Sequence, residues 1–333
     1  MGCKVSKPQY KEQFSYELLD QFDYHCSIRA LALNQAKNLL VLGSDSEIHI
    51  FHIQKGFMKQ LKIIKQSQTQ TLNFFFQNGT FISGSADSLI IWSTNIISNI
   101  KFTFKMKDRT QGVCCVALHS EFEETIISGY YDGSIKIFGC STQWFCKQII
   151  NEHTEAVNSL AINQNGNKFI SCSNDNTLLI IKVSIQQKWC LKQRIQLLQY
   201  GFRLSFITNE SFSFQPNSYL NGRYLYIFQL NSSTQLFEKV LEIPVLGRNQ
   251  YCSQGFPSTY IQSKNLLHVK HGYYINIFRI TPSKKLMKQY VLEQSIEFGT
   301  RYVFGTQSND GELLITWDAE SNQIQIRKLI FKR

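Results

Sequence analysis

The sequence predicts an all-β fold: a seven-bladed β-propeller of four-stranded antiparallel blades, with an N-terminal strand closing the last blade. Three observations predict it. A strand–turn–strand stretch recurs along the 333 residues at intervals in the forties. Its apolar residues alternate every second position, as in IHIF and IKIF, which is the period of a strand. The composition suits strands, with 25 Phe and 15 Tyr inside a hydrophobic content of 43%.

The recurring stretch reads LGSDSEIHIF (42–51), SGSADSLIIW (83–92), SGYYDGSIKIF (128–138) and SCSNDNTLLII (171–181). Aligned on its last apolar residue, it places Phe51, Trp92, Phe138 and Ile181 in register. The series continues with Phe228 in NGRYLYIF, Phe278 in HGYYINIF and Arg327 in NQIQIRK, at gaps of 41, 46, 43, 47, 50 and 49. Seven units of this period are the mark of a propeller. The turns fit. Asp132-Gly133 and Asn221-Gly222 supply the positive φ of tight primed hairpins, and Asn78-Gly79, Asn165-Gly166 and Asp310-Gly311 do so one hairpin earlier. One unit reads through as four strands: VNSLAI (157–162), NKFISC (167–172), TLLIIKV (177–183) and WCLKQRI (189–195).

The last unit ends without an outer strand, while FSYELLDQ (14–21) precedes the first full unit with no other partner. The prediction is that 14–21 completes the last blade and removes an open edge. Residues 1–12 then form a tail, and 13–333 a single propeller.

These units resemble the WD-repeat, G-protein β-like propellers across roughly 13–333. The resemblance implies a hydrogen-bonded set in each blade: a His before the first strand, a Ser or Thr in the second, an Asp in the turn and a Trp in the third. Blade four offers His153, Ser171 and Asp175, with Ile181 at the Trp position. Blade two offers Ser83, Asp87 and Trp92, with no His upstream and a spacing one residue short. Blade three offers Ser128 and Asp132 with Phe138, and blades five to seven keep only the strand pattern.

Chemistry is sparse. His49 and His52, like His268 and His271, stand three apart in a strand and point to opposite faces, so a shared metal is not expected. Cys114 and Cys115 read as buried thiols. The nine cysteines form no Cys-x-x-Cys pair, and the N-terminus has no apolar signal core, which reads as a reduced, cytoplasmic chain. No phosphate-binding glycine loop or paired carboxylates occur. The expectation is a protein without catalytic residues, cofactor, small-molecule substrate or nucleic-acid partner. The net charge of +11 owes much to lysines in alternating segments: Lys55, Lys59, Lys62 and Lys65; Lys101, Lys105 and Lys107; Lys284, Lys285 and Lys288. On outer strands lysine guards against edge pairing.

Other proteins are therefore the expected partners, met through the loops. Tyr130 and Tyr131 take the place of small residues in a second-to-third-strand turn and are candidate anchors, with Arg109 and Arg248 in loops of the same face. The N-terminus, MGCKVSKPQYK, fits an acyl acceptor. Gly2 with Ser6 matches the N-myristoylation pattern, and Cys3 is placed for palmitate. A lone myristate binds membranes marginally, so a second signal matters. Lys4, Lys7 and Lys11 would each add roughly 1 kcal/mol near an anionic leaflet. The whole reads as an interaction scaffold held peripherally on a membrane's cytoplasmic face. The alternatives are a soluble subunit of a larger complex, or a phosphoinositide-binding propeller, although the Phe-Arg-Arg-Gly signature of the latter is absent.

Overall fold

Alternating apolar runs, cut by turns that need positive φ, fold into seven antiparallel sheets of four strands each. The computed structural model describes residues 14–76, 79–94, 102–107, 112–119, 123–217, 223–247, 252–281 and 288–331. β1 (Phe14–Asp23) comes first and stands apart from its neighbours in sequence. Blade one holds β2 (Ile28–Leu33), β3 (Leu39–Ser44), β4 (Glu47–Gln54) and β5 (Phe57–Lys65). Blade two holds β6 (Thr71–Phe74), β7 (Thr80–Gly84), β8 (Ser88–Ser93) and β9 (Phe102–Lys107). Blade three holds β10 (Val113–Leu118), β11 (Thr125–Tyr130), β12 (Ile135–Cys140) and β13 (Trp144–Ile150). Blade four holds β14 (Val157–Ile162), β15 (Lys168–Ser173), β16 (Thr177–Val183) and β17 (Trp189–Gln196). Blade five holds β18 (Gly201–Thr208), β19 (Ser211–Pro216), β20 (Tyr224–Leu230) and β21 (Phe237–Pro244). Blade six holds β22 (Thr259–Ile261), β23 (Leu266–His271), β24 (Tyr274–Thr281) and β25 (Gln289–Glu297). Blade seven holds β26 (Val303–Gln307), β27 (Leu313–Asp318) and β28 (Gln323–Phe331), and takes β1 as its outer strand.

The ring closes as the sequence predicts. Phe14 pairs with Phe331 and Asp23 with Gln323, so the chain's first strand runs antiparallel to its last. The core is divided among the interfaces between blades: seven apolar clusters, one between each neighbouring pair. β1 contributes Phe14 and Tyr16 to the cluster between blades six and seven, so closure buries apolar surface as well as pairing an edge. Each such side chain is worth about 1.5–3 kcal/mol when withdrawn from water.

Every outer strand is bulged at one place. The register shifts next to Phe51, Trp92, Phe138, Ile181, Phe228, Phe278 and Arg327, the residues on which the repeat aligns. A bulge twists the strand and re-aims a side chain. Here a neighbouring glutamine reaches the next blade. Gln148 of β13 accepts from the Trp189 N–H at 2.9 Å and donates to its carbonyl at 2.6 Å. Gln193 of β17 holds Phe237 in the same way, at 2.7 and 2.9 Å. Gln294 of β25 holds Tyr16 at 2.7 and 3.1 Å. At the seam between blades seven and one, Asp20 accepts from the Gly56 N–H at 3.1 Å.

Lys59, Lys62 and Lys65 lie on β5 and Lys105 on β9, both outer strands. Lys55 stands instead in the turn before β5 and Lys288 just ahead of β25. Lys101, Lys284 and Lys285 lie outside the described residues, as do Asn78, Asn221 and Gly222 of the predicted turns. Gly133 shows why one turn needs glycine. Its φ is +84°, and a Cβ there would come within 2.7 Å of the His153 carbonyl oxygen.

Candidate functional site

Antiparallel strands give the ring two faces. One carries the turns between second and third strands and the connections from blade to blade. The other carries the remaining turns and the start of β1. The blade-internal polar sets lie on the first of these. In blade four His153 lies within 2.8 Å of both Ser171 Oγ and Asp175 Oδ2. Asp175 also accepts from Thr177 Oγ1 at 2.7 Å and from the Thr154 N–H at 3.1 Å. Burial alone would raise its carboxyl pKa; these donors outweigh it and hold the group well below the usual carboxylate range.

The remaining sets show what replaces each missing member. In blade two Trp92 Nε1 donates to Ser83 Oγ at 2.8 Å, and Ser83 donates to Gln66 Oε1 at 2.9 Å. Gln66 thus stands where His153 stands in blade four. Asp87 does not reach it; its Oδ1 accepts from Ser85 and Ser88, at 2.9 and 3.0 Å. In blade seven Arg327 Nη1 donates to Thr316 Oγ1 at 2.9 Å, with its guanidinium 5.5 Å from the centre of the Phe298 ring. Arg327 takes the Trp position, Thr316 the Ser position and Phe298 the His position. Blade one makes the set apolar: Tyr24, Leu42 and Phe51 pack in one cluster, with the two rings 5.9 Å apart. In blade three Asp132 closes its own turn, accepting from Ser134 N at 2.9 Å and Ser134 Oγ at 2.6 Å.

Of the candidate anchors, Tyr131 is 41% exposed at the mouth of the central channel, while Tyr130 is fully buried at 0%. The reading of Tyr130 as an exposed anchor is therefore corrected. It closes β11 two residues after Ser128, so strand alternation puts both inside the blade. Its hydroxyl lies 3.4 Å from Ser128 Oγ, and Lys136 Nζ sits 4.4 Å above its ring. Arg109, Arg248, Gly2 and Cys3 lie outside the described residues.

The channel itself is a cavity of about 310 Å³ whose lining includes Arg29, Asn73, Cys114, Asn158, Gln254 and Tyr302. Cys114 and Cys115 flank it, and burial pushes both thiols up. One side of the channel is irregular. Blade six has a three-residue innermost strand, and the segment 252–258 ahead of it spans toward three other blades. Arg203 of blade five fastens this segment, donating to Phe256 O at 2.7 Å, Ser253 O at 2.6 Å and Cys252 Sγ at 3.0 Å. Ser253 Oγ donates to Arg301 O of the connection into blade seven at 2.6 Å, and Gln254 approaches Asn158 of blade four.

Sequence reasoning missed this cluster. Arg203 and Lys270 are buried, and neither has a carboxylate partner among the described residues. Lys270 Nζ instead donates to Ser253 Oγ at 3.2 Å and lies 3.5 Å from Cys252 Sγ. Burial would raise the Cys252 thiol; Arg203, Lys270 and a hydrogen bond with His271 override it and hold it well below its ordinary value. Burial in turn brings Lys270 down to about 8, against the pull of Cys252. Cys252 Sγ is shut away from solvent and ties the channel segment to Arg203 and Lys270. Arg203 and Lys270 within otherwise apolar strands were the available signal.

Residues 100–139 and 144–182 match the family described as "WD domain, G-beta repeat". These spans cover blade three and most of blade four, where the His153 set is formed. No curated protein matches the sequence. Among solved structures, a chain from one titled "Crystal Structure of Mitotic Checkpoint Complex" is similar, with a TM-score of 0.76 at 12% identity, covering 100% of this chain and 97% of that one. At that identity the likeness is one of fold. Two matched repeats thus lie within a closed ring of seven four-stranded blades, the architecture of a β-propeller.

Proposed function

We propose that the protein is a non-enzymatic interaction scaffold, carrying myristate on Gly2 and palmitate on Cys3, and held by them on the cytoplasmic face of a membrane. The fold supports the scaffold part. A ring clamped blade to blade presents loops on rigid supports, and binding residues concentrate in such loops. The similar fold above also belongs to a structure titled as a complex. Protein partners are assigned to the face bearing Tyr131, beside the channel mouth.

The observation that carries the anchor is the sequence MGCKVS, in which Gly2, Cys3 and Ser6 meet the acceptor pattern and the two-signal requirement together. Among the described residues no helix is long and apolar enough to cross a membrane. Fractionation of cells expressing wild type and Gly2→Ala tests the reading. Wild type is expected in the membrane pellet and Gly2→Ala in the supernatant. Equal distribution of the two refutes the anchor.

A further inference from the structure

We infer that the ring lies flat on an anionic bilayer through the face where β1 begins, using a rim of apolar side chains and lysines at the outer turns of its blades. The inference rests on the acyl-anchor reading and adds to it an orientation and a second membrane-binding element.

The topology defines the face. β1 starts at Phe14 opposite Phe331, so the thirteen preceding residues leave the ring where β28 ends. The same end of blade seven carries the turn before β27. Lys37, in the turn between β2 and β3, reaches Asp310 at 2.6 Å and Glu312 at 2.7 Å of that turn, which places blade one's matching turn on the same face. Strand alternation carries the face around the ring, through the turns that lead into each outer strand.

Those turns share a feature. Phe57 opens β5, Phe102 opens β9, Phe145 is the second residue of β13, Ile185 stands in the turn before β17, Leu236 immediately precedes β21, and Phe331 closes β28. All six are exposed, Ile185 completely. They belong to six different blades. Single exposed apolar residues are ordinary on a soluble protein. Six of them gathered at the turns of one rim are the pattern of an interface. The opposite face exposes Tyr131, Tyr224 and Tyr302 with Leu198 and Leu246, and Ile63 and Ile149 near the far ends of β5 and β13.

The occupant follows from the tether, and the exposed lysines beside three of the apolar residues suit it. Lys55, Lys147 and Lys188 are exposed close in sequence to Phe57, Phe145 and Ile185, and the same face also exposes Glu124, Glu210 and Glu238. On the same face, Lys37 offsets Asp310 and Glu312. Apolar side chains flanked by lysines match the headgroup boundary of an anionic leaflet, where the apolar groups insert and the ammonium groups meet phosphate. The segment leading to Gly2 spans at most about 45 Å and is attached at this face. A bilayer holding Gly2 therefore meets this face first. Tyr131 and the partner-binding loops point away from it.

The test uses the N-myristoylated full chain and sedimentation with vesicles of phosphatidylcholine, alone or with about 30% phosphatidylserine. Wild type is expected to pellet with the anionic vesicles. Phe57→Ser, Phe145→Ser and Ile185→Ser combined are expected to weaken partitioning roughly tenfold or more. Leu198→Ser with Leu246→Ser, on the other face, is expected to leave it unchanged. A triple variant that pellets like wild type, while Gly2→Ala does not pellet, overturns the face and leaves the anchor standing. Gly2→Ala pelleting like wild type, while the triple variant stays in solution, overturns the anchor and leaves the face standing. Wild type that remains in the supernatant overturns both. A wild type that dimerises, with a monomeric triple variant and unchanged vesicle binding, assigns the rim to a second copy and also overturns the inference.

Discussion

Gln294 holds both backbone polar groups of Tyr16: its Oε1 accepts from the N–H at 2.7 Å and its Nε2 donates to the carbonyl at 3.1 Å, across 278 residues of chain. The clamp fixes the closing strand to blade six, the blade next to the one whose sheet it joins. Tyr16 adds its own hydroxyl, which donates to Gly311 O at 2.6 Å.

Gln294→Ala is expected to cost about 1–3 kcal/mol, because it strips partners from two backbone groups at a sheet interface. Urea denaturation measures it. Gln193→Ala, which breaks the equivalent clamp on Phe237, is expected to cost a similar amount. The closing clamp should differ in kinetics: Gln294→Ala speeds unfolding more than Gln193→Ala, since the seam lacks a covalent connection.

Ser83→Ala is expected to destabilise more than Ser171→Ala. Ser83 Oγ serves Trp92 and Gln66 together, so its loss orphans two buried groups, whereas Ser171 serves His153 alone. The expected costs are about 2–4 and about 1–2 kcal/mol. Comparing the two denaturation midpoints decides the order.

Cys252→Ala is expected to cost about 1–3 kcal/mol, since it takes the sulfur partner away from the buried Arg203 Nη1 and Lys270 Nζ. Lys270→Met in the same chain should recover part of the loss. Alkylation supplies a second measurement. Exposed Cys26 and Cys146 should react with iodoacetamide in the native protein, and Cys252 only after denaturation.

Stability is expected to fall between pH 6.5 and 4 through His268. This ring is buried beside Tyr16 and bonded to Gln307, and burial brings its pKa down to about 4. The unfolded chain therefore binds more protons than the folded one across that window, so acid favours unfolding. At pH 4.5 the loss is on the order of 2–3 kcal/mol relative to pH 7. Urea titrations at the two pH values measure it, and His268→Gln should flatten the difference.

The ring was legible because closure, blade number and strand order are written in a two-residue alternation and a long period, both carried by apolar residues. Even the register point survived: the bulge falls beside the residue that ends each run, from Phe51 to Arg327. The polar sets were less legible. A search for histidine passes over Gln66, although it stands 17 residues before Ser83, as His153 stands 18 before Ser171. An amide and an imidazole both accept a hydroxyl proton, and the sequence shows the interval but not the bond. Tyr130 was misread because its turn looked like a loop, when alternation from Ser128 already directed it inward. The Cys252 cluster draws on blades five and six and on a channel segment, and no local pattern joins Arg203 to Lys270 across 67 positions.

Because β1 precedes every other described strand and its partner β28 follows them all, blade seven cannot be finished until β28 has been made. Until then Phe14 and Tyr16 have no pocket between blades six and seven, and the Gln294 clamp has no strand to hold, so the ring locks only with its final strand.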